Sequence, residues 1–226
     1  MDVIGEMRRT AAALFEPGAV YEVRAFNEVG WTRSGYFDDH ELLIRAAADL
    51  DAQGWQVYVT LNPVDAALLA RAANRVKDRP KNTTADRDII RRKWLLVDLD
   101  PVRPSGVSAT DEEKAACCLR AEEVRGYLQE KGWPEPVMAD SGNGFHLLYR
   151  TNLPNDQKST ELVKGALETL AFQFDDDQVA IDRAVHNAAR IVRLYGSTTR
   201  KGDDTKERPH RRSKLLTLPE EVDSCG

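Results

Sequence analysis

The stretch "VDLDP", residues 97–101, places two acidic side chains at the end of a run that otherwise has the composition of a buried β-strand. Side chains alternate across a strand, so residues two apart point to the same face of a sheet. One face needs burial beneath helices, and the other becomes acidic at its end. The buried face carries Leu95, Val97 and Leu99, and the opposite face carries Leu96, Asp98 and Asp100.

Two later segments repeat this pattern. In "QVAID", residues 178–182, Asp182 points away from Val179 and Ile181. In the second arm of the hairpin "PVMADSGNGFHLLYR", His146 points away from the apolar set Phe145, Leu147 and Tyr149. If the apolar sets all pack beneath helices, we expect four polar side chains to converge on the uncovered face of the sheet: Asp98, Asp100, Asp182 and His146.

The order of elements predicts an α+β fold. Residues 1–80 have a strand near Val20, a helix over 37–54 with Asp38 and Glu41 as a capping pair, and a strand over 55–63, which together predict a smaller N-terminal α/β lobe. Residues 81–226 follow as strand, helix from Thr110, hairpin, helix and strands, which predicts an RRM-like antiparallel or mixed sheet with helices on one face. This second half also carries the four polar side chains named above. Between the two halves, the polar segment 75–92 is predicted to be a connecting loop or mobile flap.

Charge is unevenly distributed along the 226 residues. The net charge is −5, yet residues 71–93 hold nine Lys or Arg against three Asp, and residues 200–214 hold seven against three acids. These two basic strips either face a polyanion or form solvated surface loops. We take Lys81, Arg91, Arg92 and Lys93 as candidate nucleic-acid contacts. No apolar run approaches the length of a membrane span, so we expect a cytosolic protein without a membrane partner, and the cysteine spacing encodes no zinc ribbon or disulfide framework.

Three converging carboxylates repel one another unless a cation neutralises them. Oxygen ligands suit Mg²⁺ or Mn²⁺, and a pair of such ions about 4 Å apart is the usual apparatus for in-line attack on a phosphoryl centre. Asp98, Asp100 and Asp182 are therefore the predicted metal ligands and catalytic residues of a nucleotidyl-transfer site. An Asp-x-Asp before proline is also commonly a plain strand-ending turn.

The remaining candidates are phosphate contacts. Backbone N–H groups with little side-chain bulk are offered by Ser141, Gly142, Asn143 and Gly144, and His146 is placed to donate to a phosphate oxygen. After Asp182 comes a series of cations, of which one or two can bind phosphate through a planar fork while others lie in solvent: Arg183, Arg190, Arg193, Arg200 and Lys201.

Three motifs in this order resemble the archaeo-eukaryotic primase superfamily, and within it the primase-polymerases of phages and plasmids. They are "DLD" at Asp98 and Asp100, "SGNGFH" at residues 141–146, and "ID" at Asp182, followed by the similar stretch "ARIVRLYGSTTRKGD". The resemblance covers roughly residues 55–205. It departs from the family at Tyr195, where many relatives carry proline, and no zinc-binding insertion is visible.

The resemblance implies a DNA primase-polymerase that makes and extends primers in phage or plasmid replication. It implies metal ligation by the three aspartates, phosphate contacts from Ser141 and His146, and further phosphate contacts from Arg190 or Arg193 and from Lys201. The implied partners are a single-stranded DNA template and primer, a ribo- or deoxyribonucleoside triphosphate, and a fused or associated replicative helicase in the cytoplasm of a bacterial or archaeal host.

Other enzymes share parts of this pattern. A glycosyltransferase also ends a strand in Asp-x-Asp and binds a metal with a nucleotide diphosphate, but it does not call for the histidine hairpin and a third aligned aspartate. A metal-dependent nuclease fits the basic strips, yet needs no triphosphate grip. A non-catalytic RNA-binding module would show stacking aromatic residues on its open face, where this chain has carboxylates.

Overall fold

The protein is described by a computed structural model over residues 2–219. Within that range there are four α-helices and twelve strands, and every pair of neighbouring strands is antiparallel. No helix in this part of the chain combines the length and apolar character needed to cross a membrane. The helices are α1 (Val3–Leu14), α2 (His40–Ala52), α3 (Asp111–Glu130) and α4 (Gln157–Phe174), and the strands are β1 (Tyr21–Phe26), β2 (Thr32–Phe37), β3 (Gln56–Thr60), β4 (Lys77–Asp78), β5 (Arg91–Pro101), β6 (Val137–Asp140), β7 (Phe145–Pro154), β8 (Val179–Ile181), β9 (Ile191–Arg193), β10 (Thr198–Thr199), β11 (Arg211–Arg212) and β12 (Lys214–Thr217).

The first sheet has the strand order β4-β2-β1-β3-β9. Helix α2 packs against it through Leu43, Ala47 and Leu50, which recur at helical spacing. The predicted helix is confirmed, but its cap is not Asp38. The carboxylate of Asp39 accepts hydrogen bonds from the first-turn amides at 2.9 and 3.0 Å, because it is the last residue with extended backbone before the helix.

The second sheet has the order β12-β6-β7-β5-β8, with α3 and α4 packed on one face. Helix α3 begins with the capping box expected from the sequence, in which Thr110 and Glu113 satisfy each other's backbone amides. An α+β fold with helices on one face of an antiparallel sheet is therefore confirmed. The apolar faces of both sheets belong to one continuous hydrophobic core.

The two sheets do not divide cleanly along the chain. Strand β9 comes from the second half yet pairs with β3 of the first sheet, and α1 contacts β12. The proposed boundary at residue 80 stays a prediction, and residues 220–226 of the second predicted domain lie outside the described residues. Part of the segment 75–92 is ordered structure, because it contains β4 and a 3-10 turn at Asp86–Asp88.

The face of the second sheet that we expected to be uncovered is covered by the first sheet. Leu96 and Leu148 lie on that face and are both buried, and His146 is 5% exposed. The sequence already contained the reason, because apolar residues alternate onto both faces of β5 and β7 and need burial on each side. The acidic end of β5 therefore lies in a cleft between two sheets.

Candidate active site

A cavity of about 320 Å³ lies between the two sheets at the acidic end of β5. It brings together seven of the residues singled out from the sequence. They come from β5, from the hairpin turn and β7, and from the segment that begins one residue before β9. They are Asp98, Asp100, Ser141, His146, Arg190, Arg193 and Lys201.

Asp98 and Asp100 project from β5 on the same side, as strand alternation requires. Asp98 lies directly across the sheet from His146, and its Oδ1 atom is 3.3 Å from the His146 Nε2 atom. Asp100 has a cationic neighbour in Arg103, whose Nη1 atom is 3.4 Å from the Asp100 Oδ1 atom. Arg103 is held by the carbonyl oxygens of Pro101 and Val107, so its charge is fixed beside the acidic pair.

The two carboxylates have opposite pKa shifts. Burial alone would raise the pKa of Asp98, but the neighbouring His146, with Arg190 and Lys201, brings it below its ordinary value. Burial and the negative charge of Asp98 together raise the pKa of Asp100. The site thus holds one firmly ionised carboxylate and a second whose ionisation is opposed by the first, an arrangement that a bound cation would relieve.

Both ring nitrogens of His146 face protein groups. The Nε2 atom faces Asp98, and the Nδ1 atom lies 2.7 Å from the hydroxyl of the fully buried Tyr195. Burial raises the pKa of the Tyr195 phenol well above its ordinary value, so its hydroxyl stays protonated and can donate to Nδ1. This placement favours a role for His146 in orienting Asp98 over the direct phosphate contact expected from the sequence.

Asp182 follows β8, and the antiparallel register of β5 and β8 carries it to the position opposite Asp98. Its backbone amide donates to the Asp98 carbonyl oxygen at 2.9 Å. Its carboxylate, however, accepts from the Ala184 amide and caps a 3-10 turn, and Asp182 does not line the cavity. Within residues 2–219 no group of three Asp, Glu, His or Cys side chains is close enough to hold a metal ion, so its ligand role stays a prediction.

The hairpin turn uses its amides internally. The Gly142 amide donates to the Asp140 carboxylate at 2.7 Å, and the Gly144 amide donates to the Ser141 hydroxyl at 3.0 Å. The amides of Gly142 and Gly144 are therefore not free to bind an anion, in contrast to the prediction from the sequence.

The glycines instead allow close approach. A Cβ atom on Gly144 would collide with the Leu99 carbonyl and lie 2.8 Å from the Asp100 carboxylate, and one on Gly142, whose φ is +100°, would lie 2.5 Å from the Thr199 hydroxyl. The turn can therefore pack directly on the end of β5 and fix the acidic pair.

The wall opposite the carboxylates is cationic. Arg193 is 5% exposed, and its Nη2 atom donates to Gln56 and to the Tyr58 hydroxyl, while its Nη1 atom has no hydrogen-bond partner in the described part of the chain. Asn143 also has a buried donor without such a partner, its Nδ2 atom. Buried donors are normally satisfied, so a bound water or a ligand oxygen is the expected partner of each.

Two more cations line the same cavity. Lys201 forms no ion pair within the described residues, whereas Arg190 is oriented by the Asn187 side chain and the Ala184 carbonyl oxygen. Together with Arg193 they place positive charge across the cavity from the acidic pair. An anion held there would lie beside the carboxylates.

Sequence reasoning missed four residues of the site, and for Asn143 it considered only the backbone N–H group and not the side chain. Arg103 follows the acidic pair closely, so it was within reach of a local argument. The other three come from the first sheet or from β10, which no local pattern connects to β5. They are Phe26, Tyr58 and Thr199.

The candidate nucleic-acid contacts fall into two groups. Lys81 is exposed, whereas Arg92 is buried and donates to the His186 carbonyl oxygen and the Thr160 hydroxyl, both at 2.7 Å. Lys93 forms an ion pair of 2.6 Å with Glu16, and Arg91 donates to Asn152. The burial of Arg92 and the ion pair of Lys93 argue against contacts of these two residues with nucleic acid, whereas Arg91 is partly exposed and its hydrogen bonds go to neutral groups.

No family model and no curated protein sequence matches this chain. Among solved structures, the fold is similar to the catalytic domain of primase RepB′ in complex with initiator DNA, with a TM-score of 0.54 and 14% sequence identity over 96% of this chain and 86% of that one. At this identity the likeness concerns the fold. The chain has the fold of a primase catalytic domain, as the resemblance of its motifs implied.

Proposed function

We propose that this protein is a DNA primase-polymerase, a divalent-metal-dependent nucleotidyltransferase that joins nucleotides on a DNA template. The observation that carries the proposal is the cavity between the sheets, where a carboxylate pair faces cations and two unpartnered donors. A site with opposed acidic and basic walls suits a metal-bound triphosphate, whose own charges complement both walls.

The acidic wall fits Mg²⁺ or Mn²⁺. Such ions take one or two carboxylates and complete their coordination with water and substrate phosphates, so Asp98 and Asp100 would form a sufficient protein donor set. For Asp182 to serve as a third ligand, its carboxylate would have to leave the Ala184 amide and turn towards the other two. A metal bound there would supply Lewis-acid chemistry, activating the attacking hydroxyl and stabilising the leaving group, a task that two ions usually share. His146 and Arg103 hold the two carboxylates in place beside it.

The basic wall holds the triphosphate. From this wall the Nη1 atom of Arg193 would donate to a phosphate oxygen, while Lys201 and Arg190 would add positive charge where pyrophosphate departs. The Nδ2 atom of Asn143 would donate from the hairpin turn beside the acidic pair. The nucleophile is the 3′-oxygen of the primer or of the first nucleotide, which attacks the α-phosphate. No side chain needs to form a covalent bond with the substrate.

Single-stranded DNA is the proposed template, consistent with the fold shared with a primase domain solved with initiator DNA. A replicative helicase, fused or associated, would supply that template. The primers would serve phage or plasmid replication.

The test is a synthesis assay with single-stranded DNA, Mn²⁺ and labelled ribo- and deoxyribonucleoside triphosphates, run with and without a primer. Labelled product without primer supports the full proposal, and product that needs a primer supports the polymerase part of it. Shortened template with no labelled product would instead identify a nuclease. A variant with both Asp98→Asn and Asp100→Asn is the control, because it keeps the shape of the cavity and removes its acidic charge.

A further inference from the structure

Both basic strips of the sequence contain cations in ion pairs and exposed cations that form no ion pair with a described residue. In residues 200–214, Arg200, Arg208 and Arg211 form ion pairs of 2.6 to 2.9 Å, with Asp51, Glu113 and Asp111 respectively. The exposed cations without such a pair include Lys206, Arg212 and Lys214 in that strip, and Lys77, Arg79 and Lys81 in residues 71–93. The last three lie together on or beside β4, at one edge of the first sheet.

Lys77 and Lys81 line a second cavity at the edge of the first sheet, together with Arg71, which is 3.8 Å from the Asp88 carboxylate. Strand β4 is the edge strand, and Lys77 lies opposite Ser34 of β2. The cavity has a volume of about 190 Å³, and its lining includes Arg71, Lys77 and Lys81 together with polar Ser34 and Asn82. Its charge and polarity suit a phosphate group.

An exposed aromatic residue lies beside the same edge strand. Trp31 precedes β2 and is 52% exposed, and the guanidinium carbon of Arg79 lies 3.9 Å from its ring centroid. The Arg79 amide donates to the carbonyl oxygen of Thr32, which fixes this arrangement at the end of β4. An indole backed by a cation and half open to solvent is a platform on which an unpaired base can stack.

We propose that this edge surface, formed by Trp31, Arg71, Lys77, Arg79 and Lys81, binds single-stranded DNA. Phosphates occupy the basic cavity and a base stacks on Trp31. A single strand fits better than a duplex because its bases are free to stack while its backbone follows the cations. The assignment of this strand as the template rests on the proposed function, whereas the binding itself does not.

The experiment measures binding of a fluorescent single-stranded oligonucleotide by anisotropy at several salt concentrations. Lys77→Gln with Lys81→Gln should weaken binding roughly tenfold near 0.1 M salt and reduce the salt slope by about 1.4, since each phosphate neutralised on a single strand contributes about 0.7. Trp31→Ala should weaken binding about fivefold or more with little change in the slope, because it removes stacking and not charge.

The matched control is Arg208→Gln with Arg211→Gln, which removes the same charge from cations already in ion pairs. Equal losses in both double variants would overturn the proposal, because net charge would then explain the binding. An unchanged affinity and slope for the Lys77 and Lys81 variant would overturn it as well. Circular dichroism and thermal melting confirm that each variant is folded.

The double variant of Asp98 and Asp100 separates this proposal from the proposed function. It should bind the oligonucleotide as tightly as the parent while losing synthesis. If the parent protein synthesises nothing yet the edge surface binds DNA as described, the proposed function fails and the binding site stands. If duplex DNA of the same length binds as tightly as the single strand, the stacking on Trp31 is refuted.

Discussion

The two walls of the central cavity are built in different ways. The wall from the second sheet carries Asp98, Asp100 and His146, whose shared direction follows from strand alternation and from one hairpin register. The wall from the first sheet carries Arg193 on β9 and Tyr58 on β3, which lie opposite each other through a pairing between distant segments. A local pattern determines the first wall, and tertiary packing determines the second.

The walls also differ in how their polar groups are satisfied. The carboxylates each have a cation or histidine between 3 and 4 Å away, while a guanidinium nitrogen of the opposite wall has no hydrogen-bond partner among the described residues. A buried charged donor without a partner is costly unless a water or a ligand satisfies it. The comparison therefore suggests that the acidic wall supports catalysis and the basic wall supports binding, and substitutions can separate the two roles.

The largest effect is expected on the acidic wall. Asp98→Asn or Asp100→Asn should reduce the rate of nucleotide incorporation by at least about a hundredfold, the order expected when a group that stabilises developing charge is lost. Single-turnover rates at saturating Mn²⁺ and triphosphate measure this. Far-ultraviolet circular dichroism should be unchanged in both variants, and full activity in either would remove the metal-site assignment.

A substitution in the basic wall should mainly change the affinity for the triphosphate. Arg193→Gln should raise the KM for the triphosphate about tenfold or more, because charge-assisted hydrogen bonds contribute about 1.5–3 kcal/mol each. The kcat should change much less. Arg183→Gln is the matched control, since Arg183 is exposed, pairs with Asp175 and lies outside the cavity. A change in kcat alone for the Arg193 variant would contradict the assignment of binding to the basic wall and catalysis to the acidic wall.

Much of the acidic wall was predictable from the sequence. The strand containing "VDLDP", the hairpin register and the capping box of α3 all follow from patterns within about twenty residues. Even there, the sequence left ambiguities that only packing resolves. The adjacent Asp38 and Asp39 are equally good caps on paper, and a glycine turn suits an anion cradle as well as it suits close approach to the Leu99 carbonyl.

The basic wall was only partly predictable. Arg193 was named as a candidate, but its partner Tyr58 lies 135 residues earlier, and no periodicity within either segment indicates that β9 adds to β3. Phe26 belongs to the first fifty residues, for which no role was apparent from the sequence. The use of Arg92 and Lys93 within the protein was likewise invisible, because it depends on partners such as Thr160 and Glu16.

A smaller effect is expected where the two walls are connected. Tyr195 follows β9 and bonds to His146 on β7, so Tyr195→Phe removes one hydrogen bond that orients the histidine against Asp98. The expected loss in kcat/KM is about fivefold, the value of roughly 1 kcal/mol for one hydrogen bond. Tyr149→Phe is the matched control, because its buried hydroxyl has no partner among the described residues. Equal losses in both variants would contradict a positioning role for Tyr195.

The smallest expected effect is a gain in stability. Since burial and the charge of Asp98 raise the pKa of Asp100, its ionised form opposes folding at every pH above that raised pKa. Asp100→Asn removes this cost, so without metal the variant should melt about 1–2 °C above the parent near pH 7.5. The gain is small because the Asp100 side chain is 44% exposed.

The Tm of the Asp100→Asn variant can also be compared with that of the parent at lower pH and with added metal. The difference in Tm should disappear as the pH falls below the ordinary pKa of an aspartate, because Asp100 is then protonated whether the chain is folded or unfolded. Saturating Mn²⁺ at neutral pH should stabilise the parent more than the variant and so reverse their order, since a ligand that binds the native state raises its Tm. If Mn²⁺ raises the Tm of the parent and of the variant equally, Asp100 is not a metal ligand. Its position in the acidic wall is then explained by its ion pair with Arg103 alone.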